Sequence, residues 1–495
     1  MTAIMAVGRA PELSTCHPQS NFSGDDWKAL MRHYGLGRGK WVFVDWMGVE
    51  PGYGTQWSRA TSSGFCVPQG ISLKVHPPDV DPALVIAPDR PWENGYLRSY
   101  CTVIQDGGVL RCWYQLRGGL GYAESDDGIT WQKPNLGLVA WNGSTENNLV
   151  NISQRGDCVF IDPTAPSSER YKAVGCHWTE TERWILGSVS PDGLNWTPLP
   201  APLMKHQHAD TQNIALYDEV LGKYVLYTRQ RDGVMQRRGI NRTESDDFAH
   251  FPPSEPVLES NPLDPPDWDF YTNGYARWPG ATDAHLMRPA IYQHTPDMVT
   301  VHLVTSRDGR IWQRPLGRTP WIGPVPSNRD AYPSPYACAG IVSTAEGEWS
   351  FYLGVSRSSH NDPRERQFSQ AAGSGFVRAT LREDGFTSLS SEGRGSFWTI
   401  PFTLNSDVIR VNVRTRYSGF LRCQILASGT GDTGGAAQEF RDIEGYTLDD
   451  CQTISGDHSD IPLPWNGSTD VSRLRGQTVR LRFDLYKADL FAIRF

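Results

Sequence analysis

Residues 125–131 read SDDGITW, and the same pattern, S-x-D-G-x-x-W, returns at residues 190–196 as SPDGLNW and at residues 306–312 as SRDGRIW. A weaker copy, SDDFAHF, stands at residues 245–251. Successive copies begin 65, 55 and 61 residues apart, and recurrence at such a period marks an array of similar structural units. Each copy follows a run rich in β-branched and aromatic residues. The Asp-Gly pair supplies a tight turn that tolerates positive φ, and the Trp opens the next strand with a large apolar ring. The pattern therefore predicts the outer hairpin of a propeller blade, repeated around a ring.

Working outward, the first unit reads as strands over 99–104 and 109–116 about the turn Asp106-Gly107-Gly108, then 120–124 into the first signature. Further units follow with strands at 158–161, 171–177 and 184–189, at 212–217 and 223–229, at 286–292 and 298–305, and at 337–344, 349–355 and 376–381. Five such units over residues 91–402 predict a five-bladed β-propeller. Past Pro401 the signature stops. Short strands at 408–414, 419–426, 477–484 and 490–495, separated by Gly/Asp turns, predict a C-terminal β-sandwich over 403–495. Residues 1–90 read as an irregular extension around one clear strand, WVFVD at 41–45. That strand is expected either to close the ring or to pair with the C-terminal domain. The expected class is thus all-β, a five-bladed β-propeller followed by a C-terminal β-sandwich.

Composition agrees with a large β body. At 495 residues the chain exceeds what one hydrophobic core holds, and 48 Gly with 35 Pro punctuate many short segments. Eighteen Trp supply rings for packing between blades and flat faces for sugars. A net charge of −8 argues against a nucleic-acid partner. The Arg229, Arg231, Arg237, Arg238 and Arg242 stretch is the exception, and on a hairpin it divides between two faces. Nine cysteines without framework spacing point to reduced thiols. With no apolar run long enough for a bilayer and no secretory leader pattern, no membrane partner and a cytoplasmic location are expected. The composition is compatible with a homo-oligomer. No nucleotide fingerprint, phosphate-cradling loop, zinc pair or serine-hydrolase elbow is present, and no cofactor is expected.

A propeller gathers residues distant in sequence, because the first strand of every blade starts near one mouth of the central tunnel. Glycosyl transfer uses that convergence: one carboxyl stays protonated to assist the leaving oxygen while another is ionised. Acids at or just before these strands are the candidates: Glu93 in PWENG, Asp157 before the second unit, and Asp210 in HADTQN before the third. Asp162, in an Asp-Pro turn at the far end of the second unit's first strand, is a weaker candidate for substrate contact. Arg98, His208, Arg229 and Asp283 lie near strand starts or on strands facing the axis, and Trp92 offers a stacking face. A metal reading of His206-x-His208-x-Asp210, whose alternate positions share a strand face, lacks a second ligand cluster. No metal site is assigned.

The succession PWENG, CWYQL, YAESDDGITWQKPNLG, FIDP with ERYK, HADTQN with GKYVLYTR, SRDG-IW and LREDGF resembles the bacterial proteins related to the invertase and fructan-hydrolase superfamily, over roughly residues 40–495. The resemblance implies a glycoside-processing site in the funnel at the propeller axis, with a carbohydrate substrate. Under it, Glu93 stands in the region of the nucleophile motif, Asp157 where a transition-state-stabilising Asp lies, and Asp210 where an acid faces the leaving oxygen. The W-M-N-D-P-N-G, R-D-P and E-C segments of invertases are absent, and Asp replaces the usual Glu in the acid role. The expected function is hydrolysis of a small or terminal saccharide, with furanosides leading on resemblance. A glycoside phosphorylase and a non-catalytic carbohydrate-binding propeller are the alternatives. A sialidase would need an arginine triad and a tyrosine nucleophile, which the sequence does not show.

Overall fold

The computed structural model describes residues 36–37, 39–50, 68–152, 158–179, 183–205, 209–230, 237–327, 331–367, 373–428 and 440–495. Asp157, His206 and His208 lie outside the described residues. The fold is all-β: a succession of small antiparallel sheets followed by one large sheet.

The first sheet runs Cys101–Asp106, Val109–Leu116, Gly119–Ser125 and Leu149–Val150 in sequence order. Its first hairpin turns through Gly107 and Gly108, at φ 61° and 86°, the two positive-φ positions that a two-residue hairpin turn matching strand twist requires. The second sheet holds Cys158–Ile161, Tyr171–Trp178, Arg183–Ser190 and Thr197–Pro198. The third holds Ile214–Asp218, Lys223–Gln230, Gly239–Ser245 and Glu255–Leu258.

Next come two three-stranded pieces, here called the split sheet. Trp268–Phe270, Ala290–Gln293 and Met298–Val301 form one piece, and Ala276–Arg277, His285–Met287 and Val304–Ser306 the other. The middle strand is interrupted at Arg288-Pro289, where proline removes a ladder donor. The closing sheet contains Tyr336–Ala337, Val342–Ala345, Glu348–Val355 and Gly375–Arg382. Its outer strand, Asp79–Ile86, comes from the N-terminal region and pairs antiparallel with Gly375–Arg382. Thus a strand within residues 1–90 completes the sheet formed last, and it is not WVFVD. Lys40–Val42 pairs instead with Thr478–Arg494.

The signature turns fasten neighbouring sheets. In three copies the Ser hydroxyl donates to the Asp carboxylate at 3.0 Å and accepts the Gly N–H at 2.9 Å. The Asp then accepts two further backbone N–H groups at 2.7–2.9 Å. Gly128, Gly193 and Gly309 all have φ between 70° and 78°. The carbonyl of each accepts a hydrogen bond from an aromatic side chain of the sheet before it: Tyr352 to Gly128 at 2.9 Å, Trp113 to Gly193 at 2.6 Å, and Tyr227 to Gly309 at 2.7 Å. A Cβ on any of these glycines would come within 2.7 Å of that neighbour. In the weaker copy Phe248 replaces the glycine, and its ring packs on Phe160 of the second sheet at 5.6 Å. Ring contact replaces the hydrogen-bonded lock. Because Tyr352 belongs to the closing sheet and Gly128 to the first, the series returns to its start.

Among the described residues the large sheet has eight strands, including the long Arg410–Ser428 and Thr478–Arg494, Thr387–Trp398, and Ser72–Val75 from the N-terminal region. Each long strand spans two that were expected separately. The ladder continues past Ser418, at φ 60°, through a register shift between Thr415 and Phe420. Residues that read as a turn form an irregularity within one strand. Val411, Val413, Leu421, Ile425, Leu481, Phe483, Leu485 and Leu490 are fully buried and pack with Trp41, Phe43 and Trp465. Sheet membership crosses the boundaries drawn at residues 90 and 402, since Thr387–Trp398 and Ser72–Val75 both join this sheet.

Candidate functional site

A cavity of about 250 Å³ is lined by Thr102 of the first sheet, Val159 of the second, Ala215 of the third, Ala276 of the split sheet and Gly340 of the closing sheet, with their neighbours. Strands from all of these sheets therefore face one axial hollow. The strands are also joined laterally: Ala339 N–H donates to Cys101 O at 3.0 Å, and Val159 N–H to Thr102 Oγ1 at 3.2 Å.

At the end of this axis where the first strands begin, side chains from separate sheets meet. Asp210 and Thr211 precede Ile214–Asp218. Arg229, buried on the adjacent strand Lys223–Gln230, forms an ion pair with Asp210 and donates through Nη2 to Tyr271 O at 2.9 Å. Thr211 Oγ1 donates to the same carbonyl at 3.1 Å and lies 3.2 Å from Tyr100 OH. The Arg229 guanidinium sits 4.2 Å from the centre of the Tyr271 ring. Burial works against its charge, but Tyr271 and Asp210 outweigh it, and its pKa rises. Tyr100 and Tyr336 meet edge to face at 6.0 Å, and His360 lies 4.7 Å from Tyr271. The Asp210 side chain keeps 32% of its surface exposed while Arg229 keeps 3%. A carboxylate is thus held at the solvent edge by a buried cation, beside several aromatic faces.

Glu93 sits elsewhere. It ends a short 3₁₀ turn, Pro91–Glu93, and its side chain has no exposed surface. Oε1 accepts from Tyr114 OH at 2.6 Å and Lys133 Nζ at 2.7 Å, and Oε2 accepts from Arg90 N–H at 2.9 Å. Trp92 belongs to the same network: its Nε1 donates to Asn148 Oδ1 at 2.7 Å, Asn148 donates to Tyr114 OH at 2.6 Å, and the indole packs edge-on against Trp141. Glu93 and Trp92 therefore brace the rim of the first sheet, with the carboxylate enclosed by its partners.

Asp162 lies at the opposite end of the axis. Thr164 donates to its Oδ1 through N–H and Oγ1, Tyr224 OH donates to Oδ2 at 2.6 Å, and Lys172 is 3.5 Å away. Burial acts against ionisation, but these donors prevail and its pKa is lowered. Asp283 is buried beside Arg307 at 3.5 Å, which also pairs with Asp45 and covers Trp41. It joins the split sheet to the N-terminal segment, away from the mouth. Arg98 is half-buried two residues before Tyr100, and its N–H donates to Gln115 O at 3.1 Å. Of the expected site residues, the structure brings Asp210 and Arg229 together. Tyr100, Tyr271, Tyr336 and His360 were not singled out from sequence. Tyr100 fell inside the expected strand 99–104 and Tyr336 just before 337–344, positions that many residues share.

Among the described residues no group of three or more His, Cys, Asp or Glu is arranged to hold a metal ion, and seven cysteines are buried outside any disulfide. No described helix is long and apolar enough to cross a membrane.

No protein-family model matches the chain, and no curated protein matches it. Among solved structures, one described as a glycoside hydrolase is 14% identical, with 62% of this chain and 92% of that chain covered and a TM-score of 0.44. A thermostable family-43 glycoside hydrolase is 13% identical over 63% of this chain and 95% of that one, with a TM-score of 0.41. An endo-arabinase from Bacteroides thetaiotaomicron VPI-5482 is 10% identical over 60% and 97%, with a TM-score of 0.39.

Proposed function

We propose that the chain is a glycoside hydrolase of five-bladed β-propeller architecture, acting at the axial mouth on a small or terminal saccharide, with furanosides leading. In this reading the five blades are the first, second, third, split and closing sheets, and Asp79–Ile86 completes the fifth. The eight-stranded sheet folds over its own core as a β-sandwich domain. The lining of one hollow by all five units supports the count.

The observation that carries the function is the Asp210–Arg229 pair set among Tyr100, Tyr271, Tyr336 and His360 at the start of the first strands. A carboxylate bonded to a guanidinium is suited to the ionised role in glycosyl transfer, as nucleophile or as base toward water. Asp157, which directly precedes Cys158–Ile161 in sequence, is assigned the partner carboxyl on that ground alone. Glu93 acts through the rim it braces. The half-buried Tyr271 offers an aromatic edge to a sugar ring.

The test is turnover of chromogenic furanosides and pyranosides by wild type, Asp210→Asn and Asp157→Asn, each with and without phosphate. Hydrolysis lost in both variants is expected. Wild-type-like turnover by Asp210→Asn would refute the assignment. One observation favours the phosphorylase alternative: Arg229 and Arg238 lie 4.2 and 5.2 Å from the same Tyr271 ring. A strict phosphate requirement would select it, and saccharide binding without turnover would select the non-catalytic alternative.

A further inference from the structure

The segment after Glu348–Val355 is held down by a side chain of another sheet. Asp297, at φ 54° in the turn between Ala290–Gln293 and Met298–Val301, accepts hydrogen bonds from Ser359 Oγ at 2.6 Å, Asn361 N–H at 2.9 Å and Asn361 Nδ2 at 2.8 Å. Its backbone carbonyl accepts His360 N–H at 3.2 Å. Tyr292 OH donates to the same carboxylate at 2.8 Å. A non-glycine residue in the left-handed region, with its carboxylate bonded to Ser359 and Asn361 and its carbonyl to the His360 between them, is a built clamp.

The clamp holds the half-buried His360 ring against Tyr271 at 4.7 Å and Tyr292 at 4.5 Å, with Nδ1 2.5 Å from Tyr336 OH. Among the described residues Nε2 has no hydrogen-bond partner. Through Tyr271 the ring adjoins Arg229 and Asp210. When Tyr336 donates to Nδ1, the proton of the neutral imidazole resides on Nε2.

We propose that His360 is a substrate-contacting residue of the axial mouth, donating a hydrogen bond from Nε2 to a saccharide hydroxyl, and that Asp297 is the positioning residue that fixes it there. This rests on the reading of the mouth as the saccharide site. The neutral ring suits an uncharged hydroxyl, which accepts one N–H. Burial keeps the imidazole at about 4, against the pull of Asp297, with Arg238, Arg229 and His294 acting in the same direction as burial. The donor is therefore neutral throughout the range near pH 7.

The experiment measures steady-state hydrolysis and equilibrium binding of 4-nitrophenyl α-L-arabinofuranoside by the full chain, as wild type and as His360→Ala, His360→Gln, Asp297→Asn, the His360→Ala/Asp297→Asn double variant and Asp210→Asn. Loss of one neutral hydrogen bond is expected to raise KM about five- to tenfold in His360→Ala with kcat within about threefold. His360→Gln, which retains an N–H donor, should recover part of that loss. Asp297→Asn should reproduce the rise in KM, and the double variant should be no worse than His360→Ala alone. An unchanged KM in His360→Ala alongside an inactive Asp210→Asn overturns this inference and leaves the site reading intact. An active Asp210→Asn, or no binding of the probe by wild type, overturns both.

Discussion

The rim of the first sheet and the mouth at the axis each hold an acid against a cation, and they differ in what else reaches it. At the rim, Lys133 and Tyr114 share one oxygen of Glu93 and Arg90 N–H takes the other, with the side chain wholly enclosed. At the mouth, the buried member is the cation: Arg229 is covered while Asp210 remains a third exposed. The same pairing of charges thus does two things. Where both partners are enclosed, removing one strands the other in a medium of low polarity, so the pair is a matter of folding. Where the carboxylate keeps a solvent-facing side, the cation orients it and part of its surface stays open to solvent.

Two substitutions test that contrast, and two more test the turns that fasten the sheets around it. Glu93→Ala should be the most damaging to stability, by about 3 kcal/mol, because Tyr114 OH loses its buried acceptor and Lys133 keeps only the exposed Asp89 and Ala87 O as partners. Denaturant unfolding would show it, and the fraction that remains folded should retain its kcat. A Glu93→Ala protein as stable as wild type but inactive would erase the distinction. Asp210→Asn should chiefly cost turnover, on the order of a hundredfold, about 2.7 kcal/mol in the barrier, with a smaller loss of stability than Glu93→Ala, because Asn keeps an oxygen acceptor beside the buried Arg229 and Tyr271 O still accepts from it. Gly309→Ala should cost about 1–2 kcal/mol from the left-handed backbone alone, and the new Cβ would also press on Tyr227 OH. Thermal unfolding measures it, and an unshifted midpoint would mean that the signature glycines do not fasten the sheets. The smallest effect is a pH dependence. The Thr130 and Ile129 amides hold Asp127 at about 2, below its ordinary 3.8. Its folded pKa is depressed, so its contribution to stability is complete above about pH 4 and disappears as pH falls through 2. Urea midpoints compared between wild type and Asp127→Asn should converge at the acid end of that window.

What was legible in the sequence was local. The Ser, Asp and Gly of the signature bond within seven residues, and Gly107-Gly108 carries its own turn geometry, so both are read without knowledge of the fold. Asp79–Ile86 escaped notice because Pro82 interrupts it, a residue tolerated there because the strand lies at a sheet edge. Arg410–Ser428 read as two strands because an irregularity and a turn use the same small residues. For the site, Asp210 and Arg229 stood out because each adjoins or lies on a recognisable strand of one unit. Tyr271, Tyr336 and His360 come from two other sheets, and only assembly of the sheets brings them together. The enclosure of Glu93 depends on Tyr114 and Lys133, 21 and 40 residues away, and nothing in PWENG announces them.

The pairing of Asp79–Ile86 with Gly375–Arg382 also sets an order of events in the cell. The ribosome releases the former long before the latter exists, so an apolar edge must wait, unpaired, through most of translation. Contacts of such wide sequence separation form slowly, and a waiting edge invites strands from other chains. Charge on Asp79 and Asp81 and the missing amide of Pro82 make that edge a poor template for strangers, while its own partner accommodates them through two register shifts.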